Sequence, residues 1–540
     1  MFQTRRFPCS SPLSLPAIIF RMWLSLLFAS CTFAFSLGST ALPRTCRDTP
    51  SVRITLELDL GQDLGQNFGT LFELRDVTGE TLLGAGFPGA YNTHDRADRY
   101  SLHFYCRTSS EKLSIESLPR PTTDSGVYLH DVDGQLTARS LLAGKDMAPR
   151  HWDTSSSQWK RSTSQNTGAM RVRGKLLTWR TNRADYDGQP ILHWSGPGRL
   201  ELFLYANGQL LARQHFPEEP VRNGKLLAMP WSPYSDAIID PARAQVLELP
   251  TPRAFPYASC PLGEELLITT NIGQVHRLTA QGWSTLRETD GQSFQIYASL
   301  YTHDRLWLGQ YPTGHLFEYR SGKLAHLAEQ PPRMPGVSPA ARELQTLAIY
   351  RGDIYAGLWP WGEVWRYRAG ARQWEFVQRF FTHPQPTAAT IHPYEKETAA
   401  VDTVANLWGQ RISSMVPLGE YLYLSTSAKG TPAFDPRFTF LAENHQWQEY
   451  GMVYRCKLPG QVSAPITWQD KPIRLEFVLE NDQLRVLQDG SILASTSLTG
   501  ETLPPWRSSR LHWATGLYGN LHGKIILKQA TVIPADAVKR

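Results

Sequence analysis

LYTHDRLWLGQYPTGHLFEYR at residues 300–320 and AIYRGDIYAGLWPWGEVWRYR at residues 348–368 are one pattern written twice. A constant offset of 48 lays Leu306 on Ile354, Trp307 on Tyr355 and Gly309 on Gly357, then Tyr311-Pro312 on Trp359-Pro360 and Gly314 on Gly362. It ends with Phe317 on Trp365 and Tyr319-Arg320 on Tyr367-Arg368. In the first copy an alternating strand, DRLWLGQ, runs into a Pro/Gly turn, a second strand HLFEYR, a polar SGK turn and a third strand LAHLAE. Alternation with a period of two, broken by turn residues, is the mark of antiparallel strands.

Fainter copies flank the pair. Upstream, EELLITTNIGQVHRLTAQGWSTL sets Gly273 against Gly314 and Leu278 against Tyr319. Downstream, GEYLYLSTSAKG continues after an insertion into YGMVYRCKLPG, where Gly451, Val453, Tyr454 and Arg455 echo Gly362, Val364, Trp365 and Arg366. Earlier still, GVYLHDVDGQLTARS, GRLELFLYANGQLLARQHF and SDAIIDPARAQVLELP each place a turn between two alternating runs. Asp133-Gly134 and Asn207-Gly208 are tight-hairpin dipeptides, because a type I′ turn needs positive φ at both central residues. Repeats of roughly 40–50 residues with this grammar resemble the β-propeller superfamily. The resemblance implies an all-β fold with six or seven blades over residues 125–457. No subfamily signature accompanies it. The units lack the Gly-Gly pair of kelch repeats, the SxDxGxxW box of sialidases and the GH-to-WD spacing of WD repeats. Such an architecture does not fix an activity.

The two ends read differently. Residues 51–106 carry the long alternating runs SVRITLELDL, GTLFELRDV and RYSLHFYC. Residues 471–535 carry IRLEFVLENDQLRVLQDGSILAS, with a hairpin signal at Asp489-Gly490, and then HGKIILKQATV. This tail is similar to the laminin-G or concanavalin-like sandwich. An accessory β-sandwich is therefore expected from segments 42–124 and 458–540, either jointly or as two small ones.

The 540 residues are 41% hydrophobic and 19% charged, which fits a packed globular chain and argues against disorder. Arg5, Arg6 and Arg21 precede a charge-free run from Met22 to Ala41 that ends in Ser39-Thr40-Ala41. Positive residues, an apolar run and a small-residue exit compose a secretory signal, expected over 1–41. The mature chain is then secreted, periplasmic or at the cell surface, with no stable membrane span. A run of about 20 residues also suffices for an uncleaved anchor, and Cys31 after Leu27-Phe28-Ala29-Ser30 offers lipidation as another alternative. Cleavage removes three arginines and no acid, taking the formal charge from +6 to +3. Without a Lys/Arg run, that charge argues against nucleic acid as a partner. Cys46, Cys106, Cys260 and Cys456 remain, with no CxxC, so no metal site is expected. In an oxidising compartment Cys46 and Cys106, which bracket the first β segment, are expected to pair.

Gly84-Ala85-Gly86-Phe87-Pro88-Gly89 matches GxGxxG, but Pro88 interrupts it and no helix or βαβ pattern follows, so it reads as a turn between strands. There is no GxxxxGK[ST], HExxH or GxSxG, and no cofactor is expected. Tyr311, Trp359 and Trp361 occupy the Pro/Gly turns of the repeat, where side chains are normally solvated. Exposed there, they would offer flat faces for sugar rings. The insertion 382–412, THPQPTAATIHPYEKETAAVDTVANLWGQRI, gathers His383, His392, Tyr394, Glu395, Trp408 and Arg411 over one face of the disc. Gln295, Glu343 and Gln410 open successive units and would face the axial funnel. The reading is a secreted protein that recognises carbohydrate, a polysaccharide or other glycan, with Tyr311, Trp359, Trp361, Trp408 and His383 as ligand contacts. The alternative is a polysaccharide-active enzyme, a glycoside hydrolase or a lyase on uronic-acid linkages. In a lyase Arg411 would neutralise the carboxylate, His392 take the α proton and Tyr394 protonate the leaving oxygen.

Overall fold

A computed structural model describes residues 50–92, 97–140, 148–162, 167–290, 295–334, 342–382, 409–429, 449–506 and 508–533. These hold 39 strands and one short 3-10 turn at Pro241–Arg243. The leader and Cys46 lie outside the described residues, and no described helix is long and apolar enough to cross a membrane.

Seven antiparallel sheets among the described residues follow one plan, in which each successive strand is hydrogen-bonded to the last. Their innermost strands are Val127–Val132, Gly168–Val172, Arg199–Ala206, Pro256–Leu262, Gln295–Thr302, Glu343–Tyr350 and Gln410–Leu418, and they define blades one to seven. Blade seven takes its outermost strand, Ser114–Leu118, from the chain preceding blade one, with Val453 paired to Leu118 and Cys456 to Ile115. That exchange joins the two ends of the ring, and the inner strand of blade seven packs against that of blade one.

The glycines of the 48-residue repeat have a packing reason. A Cβ on Gly309 would come 2.4 Å from the Leu344 side chain, and one on Gly357 would come 2.6 Å from Ile412. Leu344 and Ile412 lie on the inner strands of the next blades. The second strand of one blade therefore presses on the inner strand of the next at a contact only glycine admits. The inner strand Glu343–Tyr350 is buried at every position rather than alternately, as a strand packed on both faces should be.

The chain ends build one sandwich, not two. One sheet runs in the order Ser491–Ser497, Gln483–Gln488, Ile473–Glu480, Ser51–Asp59 and Lys524–Ile533, and the other in the order Gln461–Pro465, Ser101–Cys106, Thr81–Phe87, Gly69–Arg75 and Arg510–Trp513. Val52, Ile54, Leu56 and Leu58 point inward from a strand whose Arg53 faces solvent. Phe477 lies edge-on to Phe72 (5.0 Å) and Phe104 (5.3 Å) in the shared core. Each such side chain contributes about 1.5–3 kcal/mol on burial. Of the expected Cys46–Cys106 pair, only Cys106 lies among the described residues. Cys106 is a free thiol buried in this core, its pKa pushed up to about 12 by burial.

The sandwich lies under one face of the disc and reaches all seven blades there. It meets the loops between strands one and two of six of them. Asp133 N donates to Asp98 Oδ2 (2.7 Å), Gly174 N to the Tyr100 hydroxyl (2.9 Å) and Gly208 N to Leu64 O (2.7 Å). His303 N donates to Gly516 O (3.2 Å), Arg351 N to Gln461 Oε1 (3.1 Å) and Gly419 N to Ser463 Oγ (2.8 Å). At blade four the amide of Asn67 donates to Pro261 O (2.8 Å). The segment 89–92 pairs with the axial side of the blade-five inner strand, Gly89 opposite Tyr301 and Asn92 opposite Ala298. The axial channel is thus obstructed from the sandwich side.

Candidate functional site

The face away from the sandwich carries the described turns between strands two and three. In blades five and six these are the Tyr311-Pro312 and Trp359-Pro360 turns, both with cis peptide bonds. Each turn is tied to the following blade. Arg342 N donates to Pro312 O and Gln410 N to Pro360 O, both at 2.6 Å. This anchoring corrects the expectation that the turn aromatics are solvated. Tyr311 is 5% exposed, Trp359 0% and Trp361 1%. Trp361 stacks on Phe381 (5.8 Å, 18°), and Phe381 stacks in turn on Tyr450 (5.7 Å, 11°). Tyr311 meets Trp359 edge to face at 6.3 Å, and Lys429 Nζ lies 3.9 Å and 4.5 Å from the two ring centres while donating to the Tyr311 hydroxyl (2.8 Å). Packing between blades, with a cation held over it, consumes these ring faces.

Beside this cluster, nearer the axis, Arg411 is ion-paired with Glu343, Nη2 donating to Oε2 at 3.1 Å and Nε lying 2.9 Å from Oε1. Its Nη2 also donates to the Tyr297 hydroxyl (3.1 Å). Glu343 is fully buried and Arg411 is 8% exposed. Burial opposes the Arg411 charge, but the Glu343 carboxylate outweighs it and raises the pKa above the usual arginine value. Burial, followed by Glu343, drives the Tyr297 hydroxyl well up as well. The guanidinium fork is therefore occupied by the chain's own carboxylate, and the lyase role assigned to Arg411 is not available to it in this arrangement. His392 and Tyr394, its expected partners, lie outside the described residues, as do His383, Glu395 and Trp408. Of the three residues expected along the axis, Glu343 makes this pair, while Gln410 turns its amide to Glu449 O (2.7 Å).

The other half of the axis is not filled. The last residue of the second strand is Tyr311 in blade five and Trp359 in blade six, but Ser140 in blade one and Thr270 in blade four. A cavity of about 450 Å³ lies between the inner strands of blades one to four. Its aromatic lining is Tyr128, Trp179, Phe203 and Tyr257, and its polar lining includes His130, Asp131, Arg139 and Glu201. Tyr257 also packs on Tyr297 at 4.8 Å, so it joins the filled half of the axis to the open half. Asp131, towards the sandwich end, is 3% exposed, and burial followed by the neighbouring Asp98 pushes its carboxyl well up. Sequence reasoning missed these residues because the repeat is weakest in blades one to four. The available signal was negative, the absence of a bulky aromatic at the turns of blades one and four.

Among the described residues no group of three or more His, Cys, Asp or Glu is placed to hold a metal. No family model matches the sequence, and no curated protein matches it either. Among solved structures, the Cps50 (Swd1) β-propeller domain of Myceliophteria thermophila is 12% identical, with a TM-score of 0.32, over 66% of this chain and 99% of that one. BamB from Moraxella catarrhalis is 10% identical (TM-score 0.30, 61% and 87%). Regucalcin, a calcium-binding protein from Agrobacterium tumefaciens, is 12% identical (TM-score 0.31, 66% and 96%). These neighbours differ in kind, and likeness at this level concerns fold alone. On its own sheet topology the chain is a β-propeller closed by a strand from its amino-terminal segment and backed by a β-sandwich built from both chain ends.

Proposed function

We propose that the protein recognises carbohydrate, and that the sugar enters the axial cavity from the face the sandwich leaves free. The observation that carries this reading is the cavity's composition. Four aromatic side chains and several polar ones converge on about 450 Å³, within the volume range of small-ligand sites. A pyranose ring presents apolar C–H faces and a rim of hydroxyls, and such a lining meets both. Because segment 89–92 obstructs the axis from below, a polymer cannot thread the disc, and the reading is recognition of a chain end or a short oligosaccharide. Export along the route of the amino-terminal leader would bring the protein to extracellular or envelope glycans.

The test is retention on a panel of neutral and acidic oligosaccharides, with the half-buried Tyr257 replaced by alanine as the site variant. Wild type should retain a defined subset, and Tyr257→Ala should weaken retention by roughly tenfold or more, the scale of one lost ring contact. A wild-type protein that retains nothing across the panel would refute the reading. Following new reducing ends in the same incubations separates recognition from cleavage.

A further inference from the structure

We infer that the sugar taken by the axial cavity is acidic, and that Arg139 is the residue that meets its carboxylate. The inference rests on that cavity being the carbohydrate site. Arg139 is the next-to-last residue of the second strand of blade one, Gln135–Ser140, and lines the cavity with Tyr128, its cross-strand neighbour, and Trp179. One Nη donates to Thr167 O at 2.5 Å. Its Nε is enclosed without an acceptor, and no carboxylate among the described residues pairs with it.

Four other enclosed guanidiniums set the contrast. Arg99 is held by Asp63 (2.6 Å), Arg107 by Asp353 (2.7 Å), Arg342 by Glu363 (3.4 Å) and Arg411 by Glu343 (2.9 Å). Arg139 lacks such a carboxylate among the described residues, at the place where the disc has a cavity. Burial with no compensating anion lowers its pKa from the ordinary arginine value, a cost a bound carboxylate would offset.

The remaining charged groups around the cavity do not supply that anion. Glu201 is engaged by Arg213 (3.1 Å) and His215 (3.3 Å). Burial, followed by Asp98, pushes the Asp131 carboxyl up, which disfavours the charged form that would repel an incoming acid. Asp98 behind it is paired with Arg171 at 2.7 Å. His130 adds no negative charge in either protonation state. The uncompensated charge of the cavity is therefore positive. A planar guanidinium whose Nε and second Nη have no acceptor among the described residues suits the planar, two-oxygen geometry of a uronate carboxylate.

The experiment presents each acidic oligosaccharide of the panel as free acid, as methyl ester and as the sulfated neutral sugar, to wild type, Arg139→Gln and Tyr257→Ala. Wild type should bind free acids at least tenfold more tightly than their esters. Arg139→Gln should bind acid and ester alike, with a melting temperature equal to or above that of wild type, because it removes an unpaired enclosed charge. Equal wild-type affinity for acid and ester overturns the inference while leaving carbohydrate recognition intact. So does preference for the sulfated sugar over the carboxylate, or an acid preference that survives Arg139→Gln. Absence of wild-type binding to every form overturns both readings, and Tyr257→Ala shows whether any binding seen belongs to the cavity.

Discussion

Replacing Asp63 by alanine tests how the sandwich is fastened to the disc. Asp63 lies in the sandwich segment and is fully buried. Its carboxylate accepts from Arg99 Nη2 (2.6 Å), Gly65 N (3.0 Å) and the Tyr100 hydroxyl, and from Arg173 N (2.7 Å) in the first hairpin of blade two. Removing one member of a buried ion pair leaves the other charge stranded, and Arg99 is only 5% exposed. The expected loss is about 3–5 kcal/mol. Asp63→Ala with Arg99→Met should cost much less than the two single changes together, because the stranded charge is then absent. Urea unfolding followed by tryptophan fluorescence reads this directly, since Trp468 stacks on Tyr100 at 5.7 Å beside the junction. The pH dependence supplies a second check. Burial raises the Asp63 pKa, but Arg99 and the converging donors outweigh it, so the folded value lies below the usual 3.8. The carboxylate thus contributes stability that is complete above the unfolded value and lost as pH falls through the folded one. The difference between wild type and Asp63→Ala should stay constant from neutral pH to about 5 and close in strong acid. A cost below about 1 kcal/mol, or a difference indifferent to acid, would refute the account.

Two further outcomes are expected. Trp359→Ala should destabilise the fold by about 3–5 kcal/mol, as loss of a fully buried aromatic does; an unchanged melting temperature would return Trp359 to the role of an exposed sugar platform. Burial lowers His103 to about 3 and His276 to about 4. Each therefore erodes stability as pH falls from about 6.5 towards those values, by up to roughly 1.4 kcal/mol per pH unit, because only the unfolded chain takes the proton. His103→Gln should flatten that slope in urea titrations between pH 6.5 and 4, and an unaltered slope would count against a buried neutral histidine.

Local sequence determined the elements and their repetition. Alternation in DRLWLGQ and DIYAGLW specifies strands, and the Tyr/Trp-Pro turns and glycines at a 48-residue offset specify that the strands recur as equivalent units. These signals are short-range and survive in a one-dimensional reading. Partnership across long separations does not, because hydrogen-bonded strand edges carry no address in the sequence. Only the folded chain pairs Val52 with Leu479, making one sandwich of two ends, and only it brings Leu118 to Val453 to close the ring. The same limit governed the site. Position in a turn pointed to solvent for Trp359, but the Pro360 carbonyl bound to Gln410 N seals that turn against the next blade. Arg411 read as an available cation until Glu343, 68 residues away, was seen to occupy its fork. What composition could not reveal was empty space. The cavity exists because the bulky turn aromatics of blades five and six have no counterpart in blades one and four, and a void has no residue to announce it.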